Sequence, residues 1–251
     1  MMHFLEKLLE FIFLPSCGVC GKIGEGYLCE KCEKEIEKYR LNHTLNYSKN
    51  NIILRDNSNT KNNISDKNKA SNMNDTNINQ SVSSIDLIKK MHILEYKDIV
   101  RKLIIQYKFN DKSYLYKTFV KIILSDKKAF DFIKSYDIII PVPIHKKRYK
   151  TRGYNQSELI SKELAHMCQV KCYTDVLIKM VNNQVQSTLN KNERLENVKD
   201  VYKLIKPEKI NNKNVLIFDD IYTTGSTIMS CAKELEKAHV KKIGILTLAK
   251  D

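Results

Sequence analysis

The stretch VLIFDDIYTTGST, residues 215–227, constrains the fold more than any other part of this 251-residue chain. Its four leading apolar residues lack the polar alternation of a half-solvated strand, so they read as a strand buried on both faces. Two carboxylates follow, then a hydroxyl-rich turn centred on Gly225, then Ile228, Cys231, Ala232, Leu235 and Ala238 at helical spacing. A second apolar run, IGILTL (243–248), comes directly afterwards. Strands covered on both faces and joined through amphipathic helices predict an α/β fold with a parallel or mainly parallel sheet and helices outside it. Upstream, DIIIPVP (137–143) and VLI (176–178) are further strand candidates. Val100, Leu103, Ile104 and Tyr107 mark one helix, and Leu115, Phe119, Ile122 and Ile123 mark another. Ile160, Leu164 and Met167 give a third its apolar face.

In an open parallel sheet, ligands bind beyond the carboxyl ends of the strands. The run VLIF places Asp219 and Asp220 at such an end, and the turn from Thr223 to Thr227 opens the next helix. Successive backbone N–H groups and the positive end of a helix dipole make an anion cradle there, with threonine and serine hydroxyls as extra donors. The carboxylates would repel a phosphate, so they must face a different part of the ligand. Sugar hydroxyls, which donate to carboxylate oxygens, meet that need, and a phosphorylated ribose accounts for both halves of the motif. A P-loop is excluded because no lysine stands where G-x-x-x-x-G-K-[ST] requires it. Paired acids that hold a metal in ATPases come with a Walker A motif, absent here. An ordinary capped helix after a strand accounts for one or two of these residues but not for the string.

Charge agrees with an anionic ligand. Lysine and arginine total 43 against 29 acidic residues, a formal net charge of +14. Phosphate esters, nucleic acid or an acidic membrane suit that balance, although a generally lysine-rich composition would produce it too. Lys146, Lys147, Arg148, Lys150 and Arg152 crowd into seven residues after the predicted strand DIIIPVP. Arginine there suits bidentate phosphate contact and lysine a mobile point charge.

The remaining segments differ in character. Of seven cysteines, four form the pattern Cys17-x2-Cys20-x8-Cys29-x2-Cys32. Two C-x-x-C pairs can each contribute two thiolates to one tetrahedral zinc, and four thiolates leave no open position, so the zinc is structural. Gly18 and Gly21 fit the tight turns of such knuckles. A redox pair or chance spacing is the alternative. Cys168, Cys172 and Cys231 read as core or surface residues. Between residues 42 and 84 the chain carries thirteen asparagines and seven serines, with neither glycine nor proline. That composition cannot bury enough apolar surface to offset its ordering entropy, which predicts a flexible linker or insert. The N-terminal MMHFLEKLLEFIFLP has Leu5, Leu8, Leu9 and Ile12 on one helical face and predicts a docking helix rather than a signal peptide, with peripheral membrane contact as the alternative. The expected organisation is residues 1–41 as helix and zinc ribbon, 42–84 as insert, and 85–251 as the α/β domain.

These residues also carry a family resemblance. VLIFDDIYTTGST is similar to the ribose-phosphate motif of type I phosphoribosyltransferases, which bind phosphoribosyl pyrophosphate (PRPP). Together with IIPVPIHKKRYKTRGYNQSELISKELA, QSTLNKNERLENV and the cysteine ribbon, it resembles the ComF family of competence proteins. The resemblance implies that Asp219 and Asp220 bind the ribose hydroxyls and that Thr223, Thr224, Gly225, Ser226 and Thr227 hold the 5′-phosphate. It assigns Ile144, His145, Lys146 and Lys147 to a pyrophosphate-binding loop. It implies catalysis by Asp219, Asp220, Lys146 and Arg152, with Mg²⁺ bound alongside PRPP. Gln186, Arg194 and Asn197 would belong to a mobile loop that closes over the sugar. It further implies a cytoplasmic protein, or one peripheral to the inner face of the membrane, with single-stranded DNA and a competence helicase or other DNA-uptake proteins as partners. Two roles remain open: an enzyme passing phosphoribosyl to an unknown acceptor, or a non-catalytic DNA-processing factor with PRPP as a regulatory ligand.

Overall fold

The computed structural model describes residues 14–24, 26–41, 88–109, 112–181 and 201–251, and the backbone of residues 46–47. The predicted N-terminal docking helix, nearly all of the asparagine-rich segment, and Gln186, Arg194 and Asn197 lie outside the described residues.

A mainly parallel sheet organises the chain. Its strands are β1 (Asn46–Tyr47), β2 (Lys89–Glu95), β3 (Ile138–Pro141), β4 (Lys171–Cys172), β7 (Asn214–Tyr222) and β8 (Lys242–Lys250), in the order β1-β2-β8-β7-β3-β4. All neighbours run parallel except β1, which pairs antiparallel with β2 through Asn46 opposite Lys90. The helices are α1 (Glu30–Glu37), α2 (Asp98–Phe109), α3 (Leu115–Leu124), α4 (Lys127–Lys134), α5 (Lys146–Arg152), α6 (Gln156–Cys168) and α7 (Ser226–Glu236).

The two-residue period of the strands sorts their side chains into two separate cores. Leu216 and Phe218 of β7, Ile139 of β3, and Leu246 and Leu248 of β8 pack with the buried faces of α2, α3, α4 and α6. Val215, Ile217, Ile138, Ile140, Ile243 and Ile245 point the other way, against Ile228, Cys231, Ala232 and Leu235 of α7. This is why the apolar runs in the sequence are continuous. Met167, expected on the apolar face of α6, is exposed; Ala165 and Cys168 fill that face instead.

Three elements depart from the sequence reading. Strand β2 escapes the pattern of apolar runs, because Lys89, Lys90 and His92 interrupt its apolar positions. The VLI candidate forms β5 (Leu177–Lys179), but it pairs antiparallel with β6 (Tyr202–Leu204) in a separate ribbon rather than joining the main sheet. The basic segment expected as a loop becomes helical from Lys146 onward: His145 caps α5, its Nδ1 accepting from Lys147 N at 3.2 Å.

The cysteine-bearing segment docks on α3. Thr118 Oγ1 donates to Tyr27 O at 2.7 Å, Lys121 Nζ to Leu28 O at 2.9 Å, and Lys117 Nζ to Tyr27 Oη at 2.9 Å. Leu41 N and Tyr39 O bond the backbone of β2, at 3.0 and 2.8 Å to Ile93 O and Glu95 N. Gly21 has φ of +77°, as a knuckle turn requires. Gly18 serves a different purpose from the one expected: it is where backbone meets helix. A Cβ there would lie 2.3 Å from Leu115 Cδ2 and 2.7 Å from Thr118 Oγ1. Gly18→Ala should therefore lift the segment off α3 and destabilise the protein by about 1–3 kcal/mol; thermal unfolding of the variant checks this, and an unchanged midpoint would contradict the close packing.

Candidate functional site

The connections after β3 and β7 diverge. From β3 the chain passes through α5 and α6 to β4, away from β7; from β7 it passes through α7 to β8, away from β3. Adjacent strands whose crossovers leave in opposite directions open a crevice between their carboxyl ends. A cavity of about 450 Å³ occupies that crevice.

Asp219 and Asp220 both line it. Asp219 Oδ1 accepts from Ser157 Oγ at 3.1 Å and from Asp220 N at 2.9 Å. Asp220 Oδ2 pairs with Lys108 Nζ at 2.9 Å. Burial, and then the neighbouring Asp220 carboxylate, push the Asp219 carboxyl up to about 7, with Lys108 and the Ser157 hydroxyl acting against them. Five cations surround the acids: Lys108, Lys147, Arg148, Arg152 and Lys179. Burial, reinforced by Arg148, depresses the Lys179 ammonium and the Arg152 guanidinium, so two of these charges are held at an electrostatic cost that an anion would relieve.

The turn before α7 has the shape of an anion cradle. Thr223, Thr224, Ser226 and Thr227 are exposed. Gly225, at φ of +78°, stands at the N-cap of α7 and offers no side chain to the first amides of the helix. Glycine is required there twice over, because a Cβ would come within 2.3 Å of Tyr222 Oη. Thr224 Oγ1 bonds Ser226 Oγ at 3.1 Å, and Thr227 reaches the cavity that Tyr202 also lines.

The segment Arg152-Gly-Tyr-Asn-Gln156 positions one wall. Gly153 closes α5 in the left-handed conformation at φ of +79°. Asn155 caps α6 by accepting from Ser157 N at 3.1 Å, and its Nδ2 donates to Val142 O at 3.0 Å, tying the helix to the end of β3. Tyr107 Oη donates to Gln156 O at 3.0 Å and Tyr154 Oη donates to Tyr107 O, which hold this start against α2. The Arg152 guanidinium lies 5.2 Å from the Phe109 ring centre.

Of the residues singled out from sequence, Asp219, Asp220, Ile144, Lys147, Arg152 and Thr227 line the one cavity, and Thr223 to Ser226 form the adjoining turn. His145 and Lys146 instead line a neighbouring cavity of about 360 Å³, beside Tyr149 and Met180. The first turn of α5 turns them there and swings Lys147 and Arg148 inward. Sequence reasoning missed Lys108, Lys179, Ser157 and Tyr202. No local motif marks them, since they come from α2, β5, α6 and β6. Ser157 alone lay within a stretch singled out from sequence, IIPVPIHKKRYKTRGYNQSELISKELA.

A second centre lies in the docked segment. The Sγ atoms of Cys17, Cys20, Cys29 and Cys32 all fall within 4.8 Å of one another, and Cys20 and Cys29 are 3.7 Å apart. Zinc–sulfur bonds of about 2.3 Å in a tetrahedron place sulfurs about 3.8 Å apart, so the donor set fits zinc. Cys29 is the N-cap of α1 and Cys32 sits in its first turn, so the start of this helix fixes two of the four sulfurs.

Two outcomes follow for this chemistry. Cys29→Ser should abolish stoichiometric zinc and lower the unfolding temperature; metal analysis and melting of the variant check both. For Asp219, a folded value raised above the ordinary carboxyl range means that its favourable contribution is full below about pH 4 and disappears as pH rises through about 7. Asp219→Asn should accordingly melt a few degrees above the wild type at pH 8 and match it at pH 4; equal melting at both pH values would contradict the raised carboxyl.

Comparison with known proteins agrees with this geometry. The phosphoribosyl transferase domain model matches residues 151–251. Competence protein F of Haemophilus influenzae is 28% identical over 166 residues, covering 64% of this chain and 72% of that protein. Competence protein ComFC of Streptococcus pneumoniae is 30% identical, over 63% of this chain and 66% of its own length. The DNA utilization protein YhgH of Escherichia coli K12 is 25% identical, over 57% and 63%. The chain is a homologue of the ComF/ComFC competence proteins and contains a phosphoribosyl transferase domain.

Proposed function

We propose that the crevice between β3 and β7 binds PRPP. The observation that carries this reading is the pairing, within one cavity, of two strand-end carboxylates with five cations, beside a turn of exposed threonines and serine that opens α7. A ligand that satisfies it must present hydroxyl donors in the middle and anionic groups at both ends. Asp219 and Asp220 accept from the ribose hydroxyls. The 5′-phosphate rests on the amides and hydroxyls from Thr223 to Thr227. The diphosphate meets Lys147, Arg148 and Arg152.

If transfer occurs, the bond from ribose C1 to the diphosphate oxygen breaks, a bond from C1 to the acceptor forms, and the acceptor's proton leaves to solvent. The basic wall then neutralises the charge that develops on departing pyrophosphate. Mg²⁺, when bound, supplies further neutralisation of the diphosphate. The cleft offers two carboxylates, one already engaged by Lys108, a donor set that suits a magnesium carried largely by phosphate oxygens and water. The competence and DNA-utilization names of its relatives support a role in handling incoming single-stranded DNA, with DNA-uptake proteins as partners. No helix among the described residues is long and apolar enough to cross a membrane, and the basic surface suits phosphate backbones.

Calorimetry with PRPP and Mg²⁺ tests the site. Asp219→Asn combined with Asp220→Asn should weaken binding at least 100-fold while zinc content stays unchanged. Retained affinity would refute the ribose contacts. Pyrophosphate release that depends on an added acceptor, single-stranded DNA included, would identify the protein as a transferase.

A further inference from the structure

The second cavity, between α5, the start of α6 and β5, has no part in the PRPP reading. Its volume of about 360 Å³ is enough for one small planar molecule. Pro143, Ile144 and Lys179 line both cavities and so form the wall between this one and the crevice. Two large apolar side chains meet water around it: Tyr149 is 47% exposed and Met180 50%. Either alone would be ordinary, but a pair of them around one hollow with a polar rim marks a contact surface. Pro141, Ile144 and Leu177 extend its apolar lining. The rim is basic. Lys146, Lys179 and His145 stand against a single carboxylate, Glu158, which Lys162 already engages at 2.6 Å. His145 Nδ1 accepts from Lys147 N, which leaves Nε2 as the donor of its ring.

A ligand that satisfies this hollow needs a flat face for the aromatic and thioether side chains and an anion for the ammonium and imidazole donors. A nucleotide carries both. We propose that the cavity beside the crevice is a nucleotide site, with the base against Tyr149 and Met180 and the phosphate on Lys146 and His145. A free nucleotide and one residue of a single strand offer the same chemistry. For a strand, Lys150 stands four residues beyond Lys146 on the same exposed face of α5, where it meets a neighbouring phosphate. The site accounts for His145 and Lys146, which the first turn of α5 directs away from the crevice. It does not depend on PRPP binding.

Calorimetry with dAMP, deoxyadenosine and an oligodeoxyadenylate tests the site. Tyr149→Ala should lower the affinity for dAMP about tenfold, and Tyr149→Phe, which keeps the ring, should retain it. Tyr149 is exposed, so both variants should fold as the wild type does. Lys146→Gln should weaken dAMP about fivefold and leave deoxyadenosine unchanged, because only the phosphate contact is lost. An oligonucleotide that binds about tenfold or more tighter than dAMP identifies a strand as the occupant, and a smaller difference identifies a free nucleotide. Wild-type protein that binds neither at millimolar concentration would overturn the proposal, as would binding that Tyr149→Ala and Lys146→Gln both leave unchanged. Displacement of dAMP by PRPP, or its loss in the Asp219→Asn, Asp220→Asn protein, would place the nucleotide in the crevice and overturn it too. Tyr149-dependent binding of dAMP by a protein that fails to bind PRPP would remove the crevice reading and leave this site standing.

Discussion

Burial of β7 between two cores is the constraint from which the site follows. With Val215 and Ile217 against α7, and Leu216 and Phe218 against α2, α3, α4 and α6, the strand has no freedom to slip: a shift of one residue would exchange its two faces. Register within the sheet is locked likewise, with Ile139 opposite Leu216 and Pro141 opposite Phe218. Asp219 and Asp220 then emerge where the connections from β3 and β7 part. The acids are held at the crevice by the apolar packing of β7 on both faces of the sheet.

Charge organises the crevice in the opposite sense to packing. Two adjacent carboxylates in a half-closed space repel one another, and the Asp219 carboxyl, already disfavoured by burial, is pushed up further as a result. The chain partly relieves this with Lys108, Ser157 and the Asp220 amide. It also surrounds the acids with cations of which Lys179 and Arg152 are themselves disfavoured by burial. The cleft thus gathers a carboxylate and cations that burial disfavours, the kind of perturbed groups that cluster at functional sites.

The four-cysteine segment contributes differently. It buries Cys17, Leu28, Cys29, Cys32 and Ile36 in the same core as α3 and bonds the edge of β2 through Leu41 and Tyr39. Zinc binding there would stabilise a surface of the α/β domain as well as its own knuckles, so metal and domain stability are coupled.

Much of this is legible in local patterns. The unbroken apolar run of β7, the helical stripe of α7 and the C-x-x-C pairs are short-range signals: their physics is complete within a few residues. For the same reason Asp219, Asp220 and the turn around Gly225 stand out in the amino-acid sequence by themselves. The tertiary structure decided what depends on distant segments meeting. Lys108 reaches Asp220 from 112 residues upstream. Lys179 and Tyr202 arrive on an antiparallel ribbon that strand propensity alone could not tell from the main sheet. One helical turn at α5 directs Lys147 and Arg148 into the crevice and leaves His145 and Lys146 beside it. Gly18 shows the same division: its residue type marked a tight place, but only the approach of Leu115 and Thr118 from α3 says what makes it tight. Periodicity and composition determine which elements form, because burial is averaged along a segment; the partners of a charge are set by tertiary packing, which brings together residues that no local pattern connects.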